Sequence, residues 1–225
     1  MDFQLLETML YYGHNIYLKN YHIQRLYHSA KNLRFNYKSY QNILNIFNKL
    51  HLELNHKYQN NIKYCLRLLF YKNGEITYTV QPINNMPLYG LNNNKLNLVL
   101  SQKCIEYNDS NKEFWINKTT MRIYHDNLYQ GTKENSNIEL GDIILYDKYG
   151  YITEASRANI AILDKNNQFI TPPVLHGLLA GTMRQYLLYN NLISCRSIKI
   201  EELKDSKSIL WFNSLRGIYR AKLIV

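Results

Sequence analysis

The second half of the chain consists mainly of short apolar runs that are divided by turns. Four of these runs have the length and composition of β-strands, at residues 96–100, 143–146, 160–163 and 209–212. Only one clear helix interrupts them, at about residues 182–190. A doubly wound domain alternates strands with helices, and its dinucleotide-binding members carry a Gly-x-Gly-x-x-Gly motif that this sequence lacks. We therefore expect a β-rich domain and not a Rossmann fold.

The first half of the chain has a different pattern. Residues 5–10 predict a strand, and residues 19–33 and 40–52 predict two helices, the first with apolar side chains at helical spacing. Two apolar runs then flank Asn73-Gly74, a dipeptide typical of a hairpin turn. The Asn-rich stretch 92–95 separates the two halves. We predict an α+β protein with a small α+β domain over residues 1–94 and a larger β-rich domain over residues 95–225.

Composition limits the classes of function. A length of 225 residues and a hydrophobic fraction of 46% suffice for a folded core. The net charge of +10 is compatible with nucleic-acid binding, but Lys and Arg are scattered from Lys19 to Lys222 without a long basic run. The positive charge has two other interpretations: it reflects a compositional bias, or it creates a positive field that attracts an acidic substrate. We expect no nucleic-acid partner, and a basic nucleic-acid-binding module is the alternative outside the enzymes.

The cysteines and the N-terminal residues favour a reducing compartment inside the cell. Cys65, Cys104 and Cys195 form no Cys-x-x-Cys pair, so we expect neither a disulfide framework nor a metal site. The N-terminal residues Met1-Asp2-Phe3-Gln4 contain an acid where a signal peptide has basic residues. No apolar run approaches the roughly 20 residues of a membrane span. The expected location is the cytoplasm, without a membrane partner.

Two segments in the first part of the sequence carry candidate chemical groups. Residues 22–26 place Arg25 on a predicted helix, where an exposed charge is the ordinary interpretation. In residues 117–122, Lys118 follows the aromatic stretch 114–116. Desolvation can lower the pKa of such a lysine, as an imine-forming amine requires, although most such side chains extend to solvent.

Two further segments lie near the C-terminus. Residues 152–160 lead through Thr-Pro-Pro at 171–173 to residues 177–184, where a glycine-containing turn precedes a helix. Free backbone N–H groups at a helix start bind phosphate, although glycine turns precede many helices for steric reasons. Residues 212–217 form a strand end followed by small and polar residues that offer a hydroxyl and another N–H.

In this order, the four segments resemble the class IV aminotransferase family, whose members are fold type IV enzymes that use pyridoxal 5'-phosphate. The most specific part of the resemblance is Thr-Glu-x-Ser-x-x-Asn at 153–159, followed by Thr-Pro-Pro and then Gly-x-x-x-Gly-x-x-Arg at 177–184. The resemblance covers nearly the whole chain. The aminodeoxychorismate lyases within the family are resembled in particular by residues 5–9, 22–26, 118–120 with Arg122, and 213–217. The chain begins almost at this first segment, as fused lyase domains of the family do.

The resemblance implies roles for three residues around the reacting end of the cofactor. Lys118 is expected to hold the cofactor covalently and then to act as base and acid on the substrate. Glu154 is expected to face the pyridine nitrogen and keep it protonated. Asn159 is expected to brace Glu154 or the local turn, and a purely structural role for Asn159 is an equal alternative.

The resemblance also implies a set of phosphate ligands. Arg25 is expected to pair with the phosphate through its planar guanidinium. The backbone N–H groups of Thr182 and Met183 are expected to bind the same phosphate at the helix start, with Ser214 and Leu215 on its other side. In these four residues the amides bind, so the identity of the side chain matters little.

The implied reaction is elimination of pyruvate from aminodeoxychorismate to give 4-aminobenzoate for folate synthesis. Arg122 and Arg216 are candidates for binding the carboxylates of this substrate, and a structural surface role for either is an equal alternative. An aminotransferase acting on D- or branched-chain amino acids is the alternative enzyme. The resemblance further implies a homodimer with active sites at domain junctions, and a separate aminodeoxychorismate synthase is a candidate partner.

Overall fold

The computed structural model describes residues 3–37, 39–83, 91–134 and 140–224, with the backbone alone described for 91–95. The chain divides into two compact units. The first unit consists of Met1–Met86, Asn117–Met121 and Ser214–Arg216, and the second consists of Pro87–Ile116, Arg122–Asn213 and Gly217–Val225. The boundary placed after residue 94 from sequence falls inside a strand, and no single boundary assigns residues 117–121 and 214–216 to the first unit.

The described residues of the first unit form four strands and two helices. In chain order they are β1 (Leu5–Tyr12), β2 (Asn15–Ile16), α1 (Lys19–Asn32), α2 (Tyr40–Lys57), β3 (Tyr64–Phe70) and β4 (Ile76–Pro82). The strands form an antiparallel sheet in the order β2-β1-β3-β4. The predicted strand, both predicted helices and the hairpin are confirmed.

One face of this sheet is covered by the helices. Apolar side chains of α1 and α2, among them Ile23 and Phe47, are buried in one core with Leu5 and Met9 of β1. The hairpin turn depends on Gly74, whose φ is +94°. A Cβ there would lie 2.7 Å from the carbonyl oxygen of Asn36, so the turn has no room for a side chain.

The second unit is built on one eight-stranded sheet. Its elements in chain order are β5 (Leu91–Leu100), α3 (Lys112–Ile116), α4 (Ile123–Glu134), β6 (Asp142–Tyr146), β7 (Ile152–Ala155), β8 (Asn159–Leu163), β9 (Phe169–Thr171), a 3-10 turn (Val174–His176), α5 (Thr182–Tyr189), β10 (Ser194–Cys195), α6 (Ile200–Asp205), β11 (Ile209–Asn213) and β12 (Gly217–Ile224). The strand order is β10-β9-β8-β11-β12-β5-β6-β7. The expectation of a β-rich unit is confirmed.

The prediction that α5 is the single clear helix of this half was wrong, because α3, α4 and α6 are also helical. The helices α3 and α6 span five and six residues, too few for a periodic pattern to show. The longer α4 buries the polar residues His125 and Thr132, whereas its apolar residue Ile123 is 55% exposed. Tyr124, Leu128 and Tyr129 of α4 also pack against the core, but they are only partly buried. The two polar residues therefore interrupt the apolar periodicity of the inward face.

A buried carboxylate fixes the turn between β7 and β8. Asp142 accepts hydrogen bonds from the hydroxyl of Ser156, from the backbone N–H of Arg157 at 3.2 Å and from Nε1 of Trp211 at 2.8 Å. Several donors compensate the cost of burying this carboxylate. The turn carries Glu154 on one side and Asn159 on the other, so Asp142 holds the two ends of the motif in register.

Within the described ranges, no helix is long and apolar enough to cross a membrane. The same ranges contain no group of three or more His, Cys, Asp or Glu side chains that could hold a metal ion.

Candidate active site

In the first unit, Arg25 of α1 is bound to Glu7 of β1 through two parallel contacts. Arg25 Nε lies 2.9 Å from Glu7 Oε1, and Arg25 Nη2 lies 2.5 Å from Glu7 Oε2. Glu7 is only 1% exposed. Burial raises the pKa of Glu7, but the charges and hydrogen bonds of Arg25 and His22 outweigh it and lower the pKa to about 2. Glu7 is therefore an anion at neutral pH, and it fixes the plane of the Arg25 guanidinium.

His22 completes this buried cluster. Its Nδ1 lies 2.6 Å from Glu7 Oε2, and the residue is fully buried. Burial lowers the pKa of His22, and the positive charges of Arg25 and Lys118 lower it further, against the opposing effect of Glu7. The neutral imidazole then donates Nδ1–H to the carboxylate. Its Nε2 is buried without a hydrogen-bond partner among the described residues.

Lys118 lies on a short segment that pairs with the beginning of β1. The backbone N–H of Leu6 donates to the carbonyl oxygen of Lys118 at 2.9 Å, and Thr119 forms an antiparallel bridge with Leu5. Thr120 N donates to the carbonyl oxygen of Gln4 at 2.9 Å. The Lys118 backbone is thus anchored to the strand that carries Glu7, and its side chain is half-buried.

In the second unit, Glu154 of β7 is a buried carboxylate that several elements hold. Glu154 Oε2 accepts a hydrogen bond from Asn159 Nδ2 at 3.1 Å, and Oε1 accepts one from the backbone N–H of Leu179 at 3.2 Å. His125 Nε2 of α4 lies 3.7 Å from Oε1. Both oxygens of the carboxylate are therefore oriented by contacts from outside its own strand.

The start of helix α5 lies directly beside this carboxylate. Asn159 Nδ2 also donates to the carbonyl oxygen of Leu179 at 2.9 Å. Gly181 is the N-cap of α5, and among the described residues no side chain caps this end of the helix. A Cβ on Gly181 would lie 2.0 Å from Asn159 Oδ1, so the close approach of the turn to Asn159 requires glycine.

The first turn of α5 has the properties of an anion site. The opening N–H groups of a helix have no partner inside the helix and carry its positive dipole end. Thr182 is 1% exposed, and its hydroxyl has no hydrogen-bond partner in the described part of the chain. Met183, the next residue, is also buried. An anion here would receive backbone N–H groups and the Thr182 hydroxyl together.

Residues 4–224 match the model of the family described as amino-transferase class IV. The chain belongs to the class IV aminotransferase family. A protein of Schizosaccharomyces pombe that is provisionally named an aminodeoxychorismate lyase is 33% identical over 227 residues, which cover 98% of this chain and 90% of that protein.

Solved structures of similar fold extend over the whole chain. A provisionally named amino-acid aminotransferase from Mesorhizobium loti has a TM-score of 0.80 at 26% identity, covering 99% of this chain and all of that one. A hypothetical aminotransferase from Mycobacterium tuberculosis, solved in its PLP-bound form, has a TM-score of 0.76 at 19% identity, covering 98% of this chain and 81% of that one. The expected α+β fold of the type IV enzymes is confirmed.

Arg184, the arginine of the Gly-x-x-x-Gly-x-x-Arg motif, holds neighbouring segments of the chain together. Arg184 Nη2 donates to the carbonyl oxygen of Pro172 at 2.8 Å and lies 3.4 Å from Cys195 Sγ. Burial lowers the pKa of Arg184, against the opposing effects of Cys195 and Glu154. Arg184 thus ties the Thr-Pro-Pro turn to α5.

The two arginines proposed for substrate binding differ in their surroundings. Arg122 Nη2 donates to the carbonyl oxygen of Ser156 at 2.5 Å, and its Nε lies 3.9 Å from Asp126. Arg122 therefore supports the turn after β7. Arg216 is exposed in the segment after β11, where Ser214 is buried and Leu215 is half-buried.

Sequence reasoning assigned no role to Glu7, His22 or His125. The signal for Glu7 was present, since a single acid in an otherwise apolar strand must find a cation when it is buried. The sequence also contained an indication for His22, because residues three positions apart on a helix lie on one face, and His22 precedes Arg25 by three. Nothing in the sequence marks His125, although it lies on the inward face of α4.

Proposed function

We propose that this chain is a pyridoxal-phosphate-dependent aminodeoxychorismate lyase, which converts 4-amino-4-deoxychorismate to 4-aminobenzoate and pyruvate. The observation that carries the proposal is the 33% identity to the Schizosaccharomyces pombe protein, because it extends over 98% of this chain and 90% of that one. The buried carboxylate at Glu154 and the uncapped start of α5 support a cofactor with a ring nitrogen and a phosphate.

The phosphate group is assigned to two sets of donors. In the second unit, the N–H groups of Thr182 and Met183 and the unpartnered Thr182 hydroxyl suit an anion. In the first unit, Arg25 is assigned to the phosphate, and Glu7 fixes the orientation of its guanidinium. The N–H groups of Ser214 and Leu215 are assigned to the same group.

Proton transfer is assigned to Lys118 and Glu154. The bound cofactor supplies an electron sink for the electron pair that remains when a substrate carbon loses its proton. Glu154 holds the proton on the ring nitrogen, since a buried carboxylate held by Asn159 and Leu179 remains oriented. Lys118 Nζ removes the proton from the amine-bearing ring carbon of the substrate. The bond between the neighbouring ring carbon and the enolpyruvyl oxygen then breaks and the ring becomes aromatic, which gives 4-aminobenzoate. The enolpyruvate that leaves takes up a proton and tautomerises to pyruvate.

The direct test supplies aminodeoxychorismate to the purified protein and measures 4-aminobenzoate and pyruvate together. The lyase proposal predicts both products in equal amounts, without any added ketoacid as amino acceptor. Matched reactions contain D-alanine or leucine with 2-oxoglutarate. Exchange of the amino group in these reactions, without 4-aminobenzoate in the first, would replace the lyase by an aminotransferase.

A further inference from the structure

His125 is a buried titratable residue beside Glu154 to which the proposed function gives no role. It lies on α4 and is 6% exposed. Its Nε2 is 3.7 Å from Glu154 Oε1, within ion-pair range and longer than a direct hydrogen bond. The Trp115 ring packs against it, with 4.4 Å between ring centroids and an interplanar angle of 43°. The imidazole is therefore held in place on one side while its Nε2 faces the carboxylate.

The burial of a histidine at position 125 needs a physical explanation. A helix usually buries its apolar residues, but α4 turns the imidazole inward and leaves Ile123 exposed. An apolar side chain could pack against Trp115 without the cost of desolvating a polar ring. Burial of histidine at this point is therefore favoured by its partner, the Glu154 carboxylate.

The carboxylate gains orientation from this contact. Leu179 N and His125 Nε2 both face Glu154 Oε1, whereas Asn159 Nδ2 donates to Oε2. Leu179 and Asn159 are neutral donors, and Arg184 is the nearby cation whose charge also acts on Glu154. Among these groups, His125 is the one that faces the carboxylate with a ring nitrogen.

We infer that His125 is a positioning residue for Glu154: it presents Nε2–H to Oε1 and holds the carboxylate aligned for the cofactor ring nitrogen. This inference rests on the proposed function, which supplies the ring nitrogen. A second buried histidine provides a matched control. His176 uses its other nitrogen, with Nδ1 2.9 Å from Asp147 Oδ2, and lies in the same unit.

The first experiment uses the protein without cofactor and records NMR spectra of labelled histidine side chains. We expect the Nε2–H form for His125 and the Nδ1–H form for His176 at a pH where both rings are neutral. Glu154→Gln should shift the His125 signals and leave those of His176 in place, whereas Asp147→Asn should do the reverse. An Nδ1–H form of His125, or His125 signals that do not respond to Glu154→Gln, would overturn the inference.

The second experiment loads the protein with pyridoxal phosphate that carries ¹⁵N in the ring. His125→Leu removes the donor, and we expect the ring-nitrogen signal to move towards its unprotonated position at pH 8, because a misaligned carboxylate no longer holds the proton. We expect cofactor affinity and kcat to fall on the order of tenfold, with KM changed less than about twofold. His125→Gln keeps a donor near the Nε2 position and should restore all three quantities. His176→Gln should leave the ring-nitrogen signal unchanged.

The proposed function and the role of His125 can be contradicted separately. Wild-type protein that binds no pyridoxal phosphate contradicts the proposed function, and the cofactor-free spectra then still decide whether His125 serves Glu154. Wild-type protein with a protonated ring nitrogen that His125→Leu does not alter supports the proposed function and overturns the inference. Thermal unfolding identifies variants that do not fold, and His125→Gln then provides the comparison.

Discussion

Asn159 and Glu154 are joined by a hydrogen bond of 3.1 Å from Nδ2 to Oε2, and the same amide nitrogen donates to the carbonyl oxygen of Leu179 at 2.9 Å. One side chain therefore connects the proposed ring-nitrogen residue to the turn that leads into α5. A displacement of that turn is expected to reach Glu154 and the proposed phosphate site together.

Gly181→Ala tests this connection. The added Cβ would lie 2.0 Å from Asn159 Oδ1, so the amide must move and the bond to Glu154 should be lost. We expect a destabilisation of about 1–3 kcal/mol and weaker binding of pyridoxal phosphate. Chemical denaturation and a cofactor titration measure the two effects. The control is Gly131→Ala in α4, where a Cβ meets nothing within 4 Å and roughly 0.5–1 kcal/mol should be gained. Equal effects of the two substitutions would argue against the connection.

The Glu7 cluster predicts a pH dependence of stability. The pKa of Glu7 falls from its ordinary value of 4.5 to about 2 in the folded protein, which corresponds to about 3 kcal/mol. Because the folded pKa is the lower one, this stabilisation is fully present above pH 4.5 and is lost as the pH falls to 2. His22 acts in the same direction below its ordinary pKa of 6.5, since its pKa is also lowered in the folded protein.

Urea unfolding of wild type and Glu7→Gln between pH 2 and 6 checks this expectation. The variant leaves Arg25 buried without its counterion and should be less stable, and the difference between the two proteins should shrink as the pH falls from 4.5 to 2. Glu75→Gln, at an exposed position, is the control and should follow the wild-type pH profile. A constant difference between wild type and Glu7→Gln across this range would contradict the assignment.

Arg25→Ala should weaken the binding of pyridoxal phosphate about tenfold or more, because it removes a charge-assisted pair. Arg25→Lys should give an intermediate affinity, since an ammonium keeps the charge but cannot make two parallel bonds to Glu7. Arg67→Ala, at an exposed position on β3, is the matched control. A cofactor titration with circular dichroism as the check of folding measures these affinities. Wild-type affinity in Arg25→Ala would restrict Arg25 to a structural role.

Glu154→Gln should keep the cofactor and lose most of the turnover, because a neutral amide cannot hold the ring nitrogen protonated. Asp147→Asn alters another buried carboxylate of the same unit and should keep its turnover. Steady-state rates and the visible spectrum of the bound cofactor separate loss of chemistry from loss of binding. Full activity in Glu154→Gln would remove this residue from the site.

Local patterns in the sequence predicted β1, α1, α2 and the β3–β4 hairpin of the first unit. The apolar spacing in α1 and the Asn-Gly dipeptide predict their elements because these features act over a few residues. The helices α3, α4 and α6 were not predicted, because two are short and the third has the polar residues His125 and Thr132 at its fully buried positions. Their formation depends on tertiary packing, which periodicity does not report.

In the candidate site, too, contacts within one short motif could be predicted from the sequence, whereas contacts between distant segments could not. The family resemblance offered a contact of Asn159 with Glu154 as one of several roles for Asn159, and the structure contains a hydrogen bond between the two side chains. The role of Glu7 towards Arg25 depends on the packing of a helix on a strand, 18 residues apart in sequence. The contact of His125 with Glu154 spans a still larger separation. Such pairings become visible only when the chain is folded.

The central claim, that the chain holds pyridoxal phosphate through Lys118, is tested most directly by reducing the cofactor-loaded protein with borohydride and locating the added mass by mass spectrometry. We predict one phosphopyridoxyl group per chain on the peptide that contains Lys118, and its absence in Lys118→Ala. Lys112→Ala, at a nearby lysine in a surface ion pair with Asp109, should retain the label. A label that persists in Lys118→Ala, or a wild-type protein that takes up no label, would contradict the account.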